Sequence, residues 1–499
     1  MPSISRPVQT TAARRRRTPP AGALALSALL ILAVALRFAT LSEQSFWLDE
    51  SYTERLVHMS FAGMWHTIPA TESTPPAYYV LAWLWTRVWG FSEFGLRSLS
   101  ALAGVLTVLL TYAAASRLTD RRAGLIAGAL VALSPLMIWF SQEARSYSVA
   151  ACATAGAFLC LIAYLDTGSS GWLAGWALSS GLGLTTHYFV AFVVAPEIVW
   201  LLAGRRGDRR CVAAITSVVA IGAALVPLAL TQQATGHADY ISQSGLVQRL
   251  VQVPKQMLIG YASPLQQATG VLAALLVLAC LPALIRHHTR LGERLLLPLS
   301  VGLGSILVPA ALAVLGVDFV NTRNLLPALP FLLIVIAIGL SVTGPGQSGT
   351  LVAALIGALF LVVVGLVDTN AQYERPDWRG VGAALGAASS PRVMVVSPGS
   401  GLLPLQIYQP GLRSLTGATS VSELDVVAIP PQLTGSGIGS PPRPGAPLAV
   451  PSGFELYQAS YGSTFTVLRY RAAAPVRVAA SGLIGLSLEP GTLAVLSQR

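Results

Sequence analysis

About eleven apolar segments recur along this chain, and each is long enough, or nearly so, to cross about 30 Å of lipid hydrocarbon as a helix. Short loops separate them and hold most of the charged residues of this part of the chain. Because only helices and closed barrels satisfy their backbone groups inside lipid, runs of this length predict an all-α polytopic membrane protein. The segments lie near 21–41, 98–116, 123–141, 147–165, 171–187, 188–204, 211–231, 265–285, 295–316, 324–342 and 350–368.

Composition agrees with a membrane chain and excludes a nucleic-acid binder. The sequence is 54% hydrophobic and only 11% charged, against about a quarter charged in soluble domains. Its net charge of +11 is spread over short loops and forms no basic domain. The expected partner of these basic residues is therefore the lipid bilayer. All four cysteines fall in or at the edges of apolar runs without CxxC spacing, which argues against a disulfide framework or a zinc cluster.

One further apolar run, residues 75–91, decides the predicted orientation. If it does not cross the bilayer, the arginine-rich segments share one side with the N-terminus, and the positive-inside rule makes that side the cytoplasm. Its two tyrosines and three tryptophans also fit a helix in the interface. We therefore predict a first outer loop, 42–97, with two interfacial helices, the other formed by 51–65. The predicted location is the cell membrane, with a cytoplasmic basic tail at 1–20 and the C-terminus outside.

The C-terminal region, 369–499, loses the long apolar runs and shows soluble patterning. RPDWRGVGAALGAA predicts a helix after Pro376, whereas RVMVVS, LDVVAI and FTVLRYRA predict short strands. A Pro/Gly-rich stretch, 432–447, predicts a loop. The expected organisation is a transmembrane catalytic domain at 21–368 followed by a small extracytoplasmic α/β domain.

Polar residues gather at the predicted outer ends of the transmembrane helices. They are Asp49, Glu50, Glu72, Glu143, Arg145, Tyr147, His187 and Arg323. Structural roles remain open for these side chains. Asp49 could cap the first interfacial helix. Arg145 and Arg323 could reach lipid headgroups or pair with a carboxylate such as Glu143, and Arg37 inside the first helix could likewise reach the headgroups.

Several motifs in the family order resemble the GT-C membrane glycosyltransferases, in the branch of protein O-mannosyltransferases and lipid A aminoarabinose transferases (glycosyltransferase family 39-like). They begin with FWLDESYTE, ESTPPAYYVLAWLWTRVWGFSEFGLRSLSALAG and ALSPLMIWFSQEARSY, and continue more weakly through LTTHYF, NTRNLLPALP and ERPDWRGVGAAL. The resemblance implies the GT-C fold, with horizontal helices in the first outer loop. It also implies transfer of a sugar, mannose or another hexose or pentose, from a polyprenyl-phosphate donor to an acceptor hydroxyl outside the membrane.

The same resemblance suggests roles for the gathered residues. It implies Asp49 as the catalytic base, and we expect Glu50 to assist it. Arg145 and Arg323 suit the donor phosphate, whose charge needs cationic neutralisation. The expected substrate-binding residues are Glu72, Tyr147 and His187. No cofactor is certain, and a divalent metal held by Glu72 and His187 stays open.

Two other classes of function compete with this interpretation. A transporter or flippase of lipid-linked sugars would move the lipid without forming glycosidic bonds, but it should carry charge near the bilayer midplane. A non-catalytic scaffold that displays 369–499 would leave the gathered polar residues unexplained. The sequence does not say whether the acceptor is glycan, lipid or protein.

Overall fold

The structure, a computed structural model, describes residues 21–342, 348–430, 432–433, 437–444, 447–489 and 491–498. The predicted tail at 1–20 lies outside the described residues, as does part of the predicted loop at 432–447. The helices of the described part are α1 Ala21–Phe38, α2 Leu48–His58, α3 Phe61–Thr71, α4 Ala77–Trp89, α5 Glu93–Leu118, α6 Arg121–Leu133, α7 Pro135–Ser141, α8 Tyr147–Thr167, α9 Ser170–Thr186, α10 Ala191–Gly204, α11 Arg209–Gln233, α12 Leu246–Ile259, α13 Gln266–Leu278, α14 Leu281–Leu291, α15 Glu293–Val314, α16 Leu329–Ser341, α17 Ser348–Asp368, α18 Trp378–Leu385 and α19 Leu402–Tyr408.

The chain is a multi-pass membrane protein. Within the described residues, six helices are long and apolar enough to cross a membrane, with α13 and α14 taken as one, and the bent pair α6 and α7 would make a seventh. The six are α5, α8, α11, α13 with α14, α15 and α17. Each predicted apolar segment contains a helix. Length and composition nevertheless support six or seven spans, so the predicted count of about eleven is not confirmed.

The break between α6 and α7 is explained by a proline and an arginine. Pro135 has no N–H to offer the carbonyl of Val131 one turn earlier, and the chain bends by 59° here. Arg37 of α1 fills the gap, since its guanidinium donates to Val131 O at 3.0 Å and to Ala132 O at 2.9 Å. Arg37 is fully buried. The expectation that it reaches the headgroups is therefore wrong.

Three short helices, not the predicted two, occupy the first loop. The expected helix at 51–65 is divided at Ser60, whose hydroxyl caps α3 by accepting from the N–H of Gly63 at 3.1 Å. The ambiguous run at 75–91 forms α4, whose 13 residues are about 20 Å long and too short to cross the bilayer. Arg87 at its end donates to Val57 O of α2 at 3.0 Å, which ties α4 to α2.

The C-terminal region forms a small α/β domain. Its strands are β1 Arg392–Ser397, β2 Arg413–Ser414, β3 Ala418–Ala428, β4 Gln432–Leu433, β5 Gly437–Ile438, β6 Phe454–Tyr461, β7 Thr466–Ala479 and β8 Ala494–Gln498. The main sheet has the order β2-β8-β1-β3-β7-β6, with β1 and β3 parallel. Helices α18 and α19 cover one face through an apolar cluster that includes Trp378 and Leu405. The predicted helix after Pro376 and the three predicted strands are thus present.

Candidate active site

A cavity of about 430 Å³, here called the central cavity, gathers most of the predicted site residues. It is bordered by α2, the segment before α4, the end of α11 and the loop before α16. Its walls include Asp49, Glu72, Arg145, Tyr147, His187 and Arg323. Apolar side chains complete the lining, among them Phe189, Phe192, Pro309, Leu312 and Val317. Glu50 does not line it.

Asp49 and Arg323 form an ion pair in the lining of the central cavity. The Oδ2 of Asp49 lies 2.6 Å from Nη1 of Arg323. Burial alone would lower the pKa of Arg323, but Tyr147 and Asp49 outweigh it and raise that pKa, so the guanidinium stays charged. Helix α2 begins at Leu48 and its N-cap is Trp47. Asp49 is therefore a first-turn residue, and its expected role as the helix cap is wrong.

Arg145 is held by Glu72 rather than by lipid headgroups. Its Nη1 donates to Oε2 of Glu72 at 2.9 Å and to the backbone oxygen of Asp49 at 3.2 Å. The hydroxyl of Tyr79 donates to the same carboxylate oxygen. Burial raises the pKa of Glu72, and the positive charge of Arg145 opposes that rise. Glu72 thus fixes the direction in which Arg145 presents its charge to the cavity.

Glu50 has a structural environment, contrary to the expectation that it assists catalysis. Its carboxylate receives Nε and Nη2 of Arg97 at 2.7 and 2.6 Å, and the N–H of Ala144 at 2.9 Å. Burial would raise the pKa of Glu50, but the charge and hydrogen bonds of Arg97 lower it. Because the side chain is fully buried and points to α5, we assign it to holding α2 in place.

His187 lines the cavity as a neutral ring. Burial, with the charges of Arg323 and Arg145, lowers its pKa to about 3. Its Nδ1 accepts from the N–H of Phe189 at 3.2 Å, so the neutral ring carries its proton on Nε2. A protonated Nε2 has no lone pair for a metal, and no group of three or more potential ligands occurs in the described part of the chain. These residues do not fit a metal centre built on Glu72 and His187.

Several contributors to the site escaped the sequence analysis. Tyr240, in the short 3₁₀ helix after α11, contacts the guanidinium of Arg323 through its hydroxyl. Gln232 bridges the site, since it donates to Thr74 O at 3.0 Å and accepts from the hydroxyl of Tyr188 at 2.8 Å. Both are uncharged residues in a region that the sequence assigned to a helix end and a loop, and no local pattern marks them.

Glu143 pairs with a residue from beyond the membrane helices. Its Oε2 lies 3.3 Å from Nη2 of Arg375, which belongs to the ERPDWRG stretch. Arg145 and Arg323 do pair with carboxylates, as one alternative held, but with Glu72 and Asp49 rather than with Glu143. Burial raises the pKa of Glu143 to about 7, against the opposing charge of Arg375 and with a further contribution from Asp49.

The raised pKa of Glu143 gives stability a pH dependence. An acid that holds its proton more tightly when folded stabilises the protein fully below its unfolded pKa and loses that contribution as pH rises through about 7. We expect Glu143→Gln, which cannot ionise, to gain stability relative to wild type between about pH 5 and about pH 8. Thermal unfolding at both pH values measures this, with Glu455→Gln on exposed β6 as the control. A constant difference across that range would contradict it.

The C-terminal domain forms hydrogen bonds to residues 44–46, the segment that leads into α2. Arg375 donates from its backbone N–H and Nη1 to Gln44 Oε1 at 3.2 and 3.1 Å. Ser45 Oγ donates to Pro376 O and accepts from the N–H of Trp378, both at 2.9 Å. The hydroxyl of Tyr408 accepts from the N–H of Phe46 at 2.6 Å and donates to Glu93 at 2.7 Å. The chain immediately before Asp49 is therefore held from outside the membrane helices.

Removal of the Tyr408 hydroxyl tests whether these hydrogen bonds hold the segment in place. We expect Tyr408→Phe to leave the N–H of Phe46 without its acceptor and to raise its amide hydrogen-exchange rate by about fivefold or more, because a lost hydrogen bond of this kind is worth about 1 kcal/mol. Tyr457→Phe, the same change on exposed β6, is the control and should leave Phe46 unchanged. Equal exchange of Phe46 in wild type and in Tyr408→Phe would show that the contact does not hold the segment.

The fold and this cavity define a multi-pass membrane protein whose main cavity holds a carboxylate paired with a partly buried arginine, Arg323, beside a buried arginine, Arg145. Residues 73–231 match the family described as dolichyl-phosphate-mannose-protein mannosyltransferase. A comparison with curated protein sequences finds no match. The matched stretch includes Arg145, Tyr147 and His187. It begins after Asp49 and Glu72 and ends before Arg323.

Solved structures extend the likeness to most of the chain. The crystal structure of ArnT from Cupriavidus metallidurans bound to undecaprenyl phosphate is 13% identical, with a TM-score of 0.58, and the match covers 90% of this chain and 98% of that one. The apo form of ArnT is 16% identical, with a TM-score of 0.50 and coverage of 73% and 70%. This chain thus shares the ArnT fold. The resemblance is therefore confirmed as a likeness, to the mannosyltransferase family over residues 73–231 and to the ArnT fold over most of the chain.

Proposed function

We propose that this protein is a membrane glycosyltransferase that moves a sugar, mannose or another hexose or pentose, from a polyprenyl-phosphate donor to an acceptor hydroxyl on the extracytoplasmic side. The observation that carries the proposal is the central cavity, whose lining combines Asp49 and the cations Arg145 and Arg323 with apolar side chains. A lipid phosphate needs both kinds of surface, cationic for its head and apolar for its chain. ArnT, whose fold this chain shares, has been solved with undecaprenyl phosphate bound.

In the proposed reaction, the acceptor oxygen attacks the anomeric carbon and forms the new glycosidic bond. The bond from that carbon to the phosphate oxygen breaks, and the polyprenyl phosphate leaves with the electron pair. Asp49 takes the acceptor proton as general base. Arg323 and Arg145 neutralise the charge on the leaving phosphate. His187 and Tyr147, which line the same cavity, shape the space for the sugar.

In the proposed reaction, donor binding also breaks the ion pair between Asp49 and Arg323. Before the donor binds, the carboxylate of Asp49 accepts a hydrogen bond from Arg323 at 2.6 Å. A donor phosphate that enters the cavity competes for the same guanidinium, because both are anions that accept its hydrogen bonds. Binding of the donor would therefore release the base at the moment it is needed. An empty cavity keeps both charges satisfied.

Arg323→Gln tests the phosphate role. Loss of a charged hydrogen-bond donor costs about 1.5–3 kcal/mol, so we expect the KM for the donor to rise about 10- to 100-fold. Arg323→Lys should keep part of the affinity because it keeps the charge. Arg55→Gln, an exposed change on the same helix as Asp49, is the control. An unchanged donor KM in Arg323→Gln would rule out this role.

The decisive experiment for the function is product analysis. Purified protein in lipid nanodiscs is incubated with a panel of polyprenyl-phosphate sugars and an extract of the cell envelope, and new glycosides are identified by mass spectrometry. A glycan, lipid or protein product would name the acceptor class. Movement of the labelled lipid across liposomes without any new glycosidic bond would instead support a transporter or flippase.

The proposed orientation has its own test. We propose that the N-terminus is cytoplasmic and that the domain at 369–499 lies outside, as the positive-inside rule indicates. Single cysteines at 120 and 400 in a cysteine-free background, labelled in intact cells with a membrane-impermeant maleimide, distinguish the two sides. Labelling at 400 but not at 120 is expected, and the reverse pattern would invert the topology.

A further inference from the structure

A second, smaller pocket lies beside the central cavity and is lined by amide and hydroxyl side chains. It has a volume of about 40 Å³. Three glutamines of α12, Gln248, Gln252 and Gln256, follow one another at intervals of four residues, so they share one face of the helix. This helix lies between α11 and α13, where the sequence predicts no element. We call this space the glutamine pocket; its lining also includes Tyr261, Asn321 and Thr322.

Two buried polar atoms of this pocket lack protein partners. Gln256 is only 2% exposed, yet its Nε2 has no hydrogen-bond partner among the described residues, and neither has the buried Oε1 of Gln252. A buried amide without a partner costs about 1–3 kcal/mol. Such groups persist in folded proteins when water or a ligand completes them. One unpaired donor and one unpaired acceptor side by side suit hydroxyl groups, which both accept and donate.

The glutamine pocket carries no free charge. Arg249 at its edge gives Nη1 to Oδ1 of Asp318 at 2.8 Å and to Val320 O at 2.6 Å, and its other terminal nitrogen contacts the second carboxylate oxygen. Its Nε donates to Ser244 O at 3.0 Å. The ion pair neutralises the guanidinium, so the pocket offers no cation for a phosphate or carboxylate. Its ligand should be neutral.

The pocket adjoins the reacting groups. Asn321 and Thr322 immediately precede Arg323, and the backbone N–H of Arg323 donates to Oδ1 of Asn321 at 3.3 Å. Tyr261, which also lines the pocket, stacks on Trp139 with ring centroids 6.3 Å apart. Burial, with a contribution from the charge of Asp49, raises the pKa of Tyr261 to about 12.

We propose that the glutamine pocket binds the hydroxyl groups of a neutral sugar whose ring lies between it and Asp49. The pocket has room for a few water-sized groups, which suits hydroxyls on one edge of a ring but not a whole ring. The inference rests on the proposed function and deepens it. Two sources carry this chemistry, the transferred sugar of the donor and a carbohydrate acceptor.

A binding experiment tests the pocket without requiring turnover. Saturation-transfer NMR is recorded on the full chain in nanodiscs with methyl α-mannopyranoside and methyl α-arabinofuranoside as probes. We expect a signal for at least one glycoside that falls about fivefold or more in Gln256→Leu and in Gln252→Leu, since each variant removes one amide. Gln243→Leu, an exposed change in the loop before α12, should keep the signal. Thermal unfolding of every variant confirms that it is folded.

Steady-state kinetics then distinguish the transferred sugar of the donor from a carbohydrate acceptor as the ligand of the pocket. With a donor and acceptor pair identified by product analysis, a rise in the acceptor KM alone in Gln256→Leu identifies the acceptor, and a rise in the donor KM alone identifies the transferred sugar. Either result supports the pocket. No glycoside signal in wild type, or equal signals in wild type and both variants, would overturn it and leave water as the occupant. Absence of transfer with every pair, alongside glutamine-dependent binding, would instead refute the proposed function.

Discussion

Asp49→Asn is expected to lower kcat for sugar transfer by about 10²- to 10⁴-fold, the range in which positioned general bases contribute. Asparagine keeps the shape of the side chain but cannot take a proton from the acceptor. The change also frees Arg323 from its partner at 2.6 Å. The KM for the donor should therefore stay level or fall, because the phosphate no longer competes with the carboxylate.

This division between kcat and KM separates catalysis from packing. A residue that only held the cavity in shape would raise the donor KM together with the fall in kcat. Asp239→Asn, an exposed aspartate in the segment after α11, makes the same chemical change and should leave both constants alone. Turnover of Asp49→Asn within about tenfold of wild type would remove Asp49 from the role of base.

Sequence patterning predicted the parts of this site that depend on position along helices. Charge and hydropathy placed Asp49, Glu72, Arg145, His187 and Arg323 near helix ends on one predicted side, and the structure brings all five to one cavity. They converge because loops at one end of a helix bundle must lie close together. The orientation of that end relative to the cytoplasm stays a prediction.

The sequence could not say which of two adjacent carboxylates faces the cavity. Neighbouring residues on a helix point about 100° apart, so Asp49 and Glu50 meet different partners. The structure turns Asp49 to Arg323 and Glu50 to Arg97. That choice depends on how α2 rotates against α5, which is a property of packing and leaves no local trace.

The sequence also could not identify ion-pair partners that lie far apart along the chain. Arg323 meets a carboxylate 274 residues away and Arg375 meets one 232 residues away. A single sequence shows that such arginines need anions, but not which anion each will find. The same holds for the C-terminal domain, whose strands were predictable from periodicity while their order in the sheet was not. Its contacts with the chain before Asp49 come from Arg375, Trp378 and Tyr408, and no local pattern in the sequence pairs these residues with that segment.

Arg97→Met is expected to be the most destabilising single change in the first loop. The variant leaves the carboxylate of Glu50 fully buried without its bidentate partner, and removal of one member of a buried pair costs about 3–5 kcal/mol. Arg97 also donates to Leu41 O, Gln44 O and Ser45 O at 2.7 to 2.9 Å. We expect a markedly lower unfolding midpoint and poor yield of folded protein.

The double variant Glu50→Leu with Arg97→Met shows which contribution dominates. If the cost lies in the unpaired charge, removal of both members should recover much of the lost stability, because apolar replacement of a buried pair is often close to neutral. If the carbonyls of 41–45 matter more, the double variant stays unstable, since nothing replaces their donor. Glu50→Leu alone should be destabilised too, as it leaves the guanidinium of Arg97 buried and uncompensated. Wild-type unfolding midpoints for both single variants would mean that the pair does not hold α2, and the position of Asp49 would then have to depend on the C-terminal domain instead.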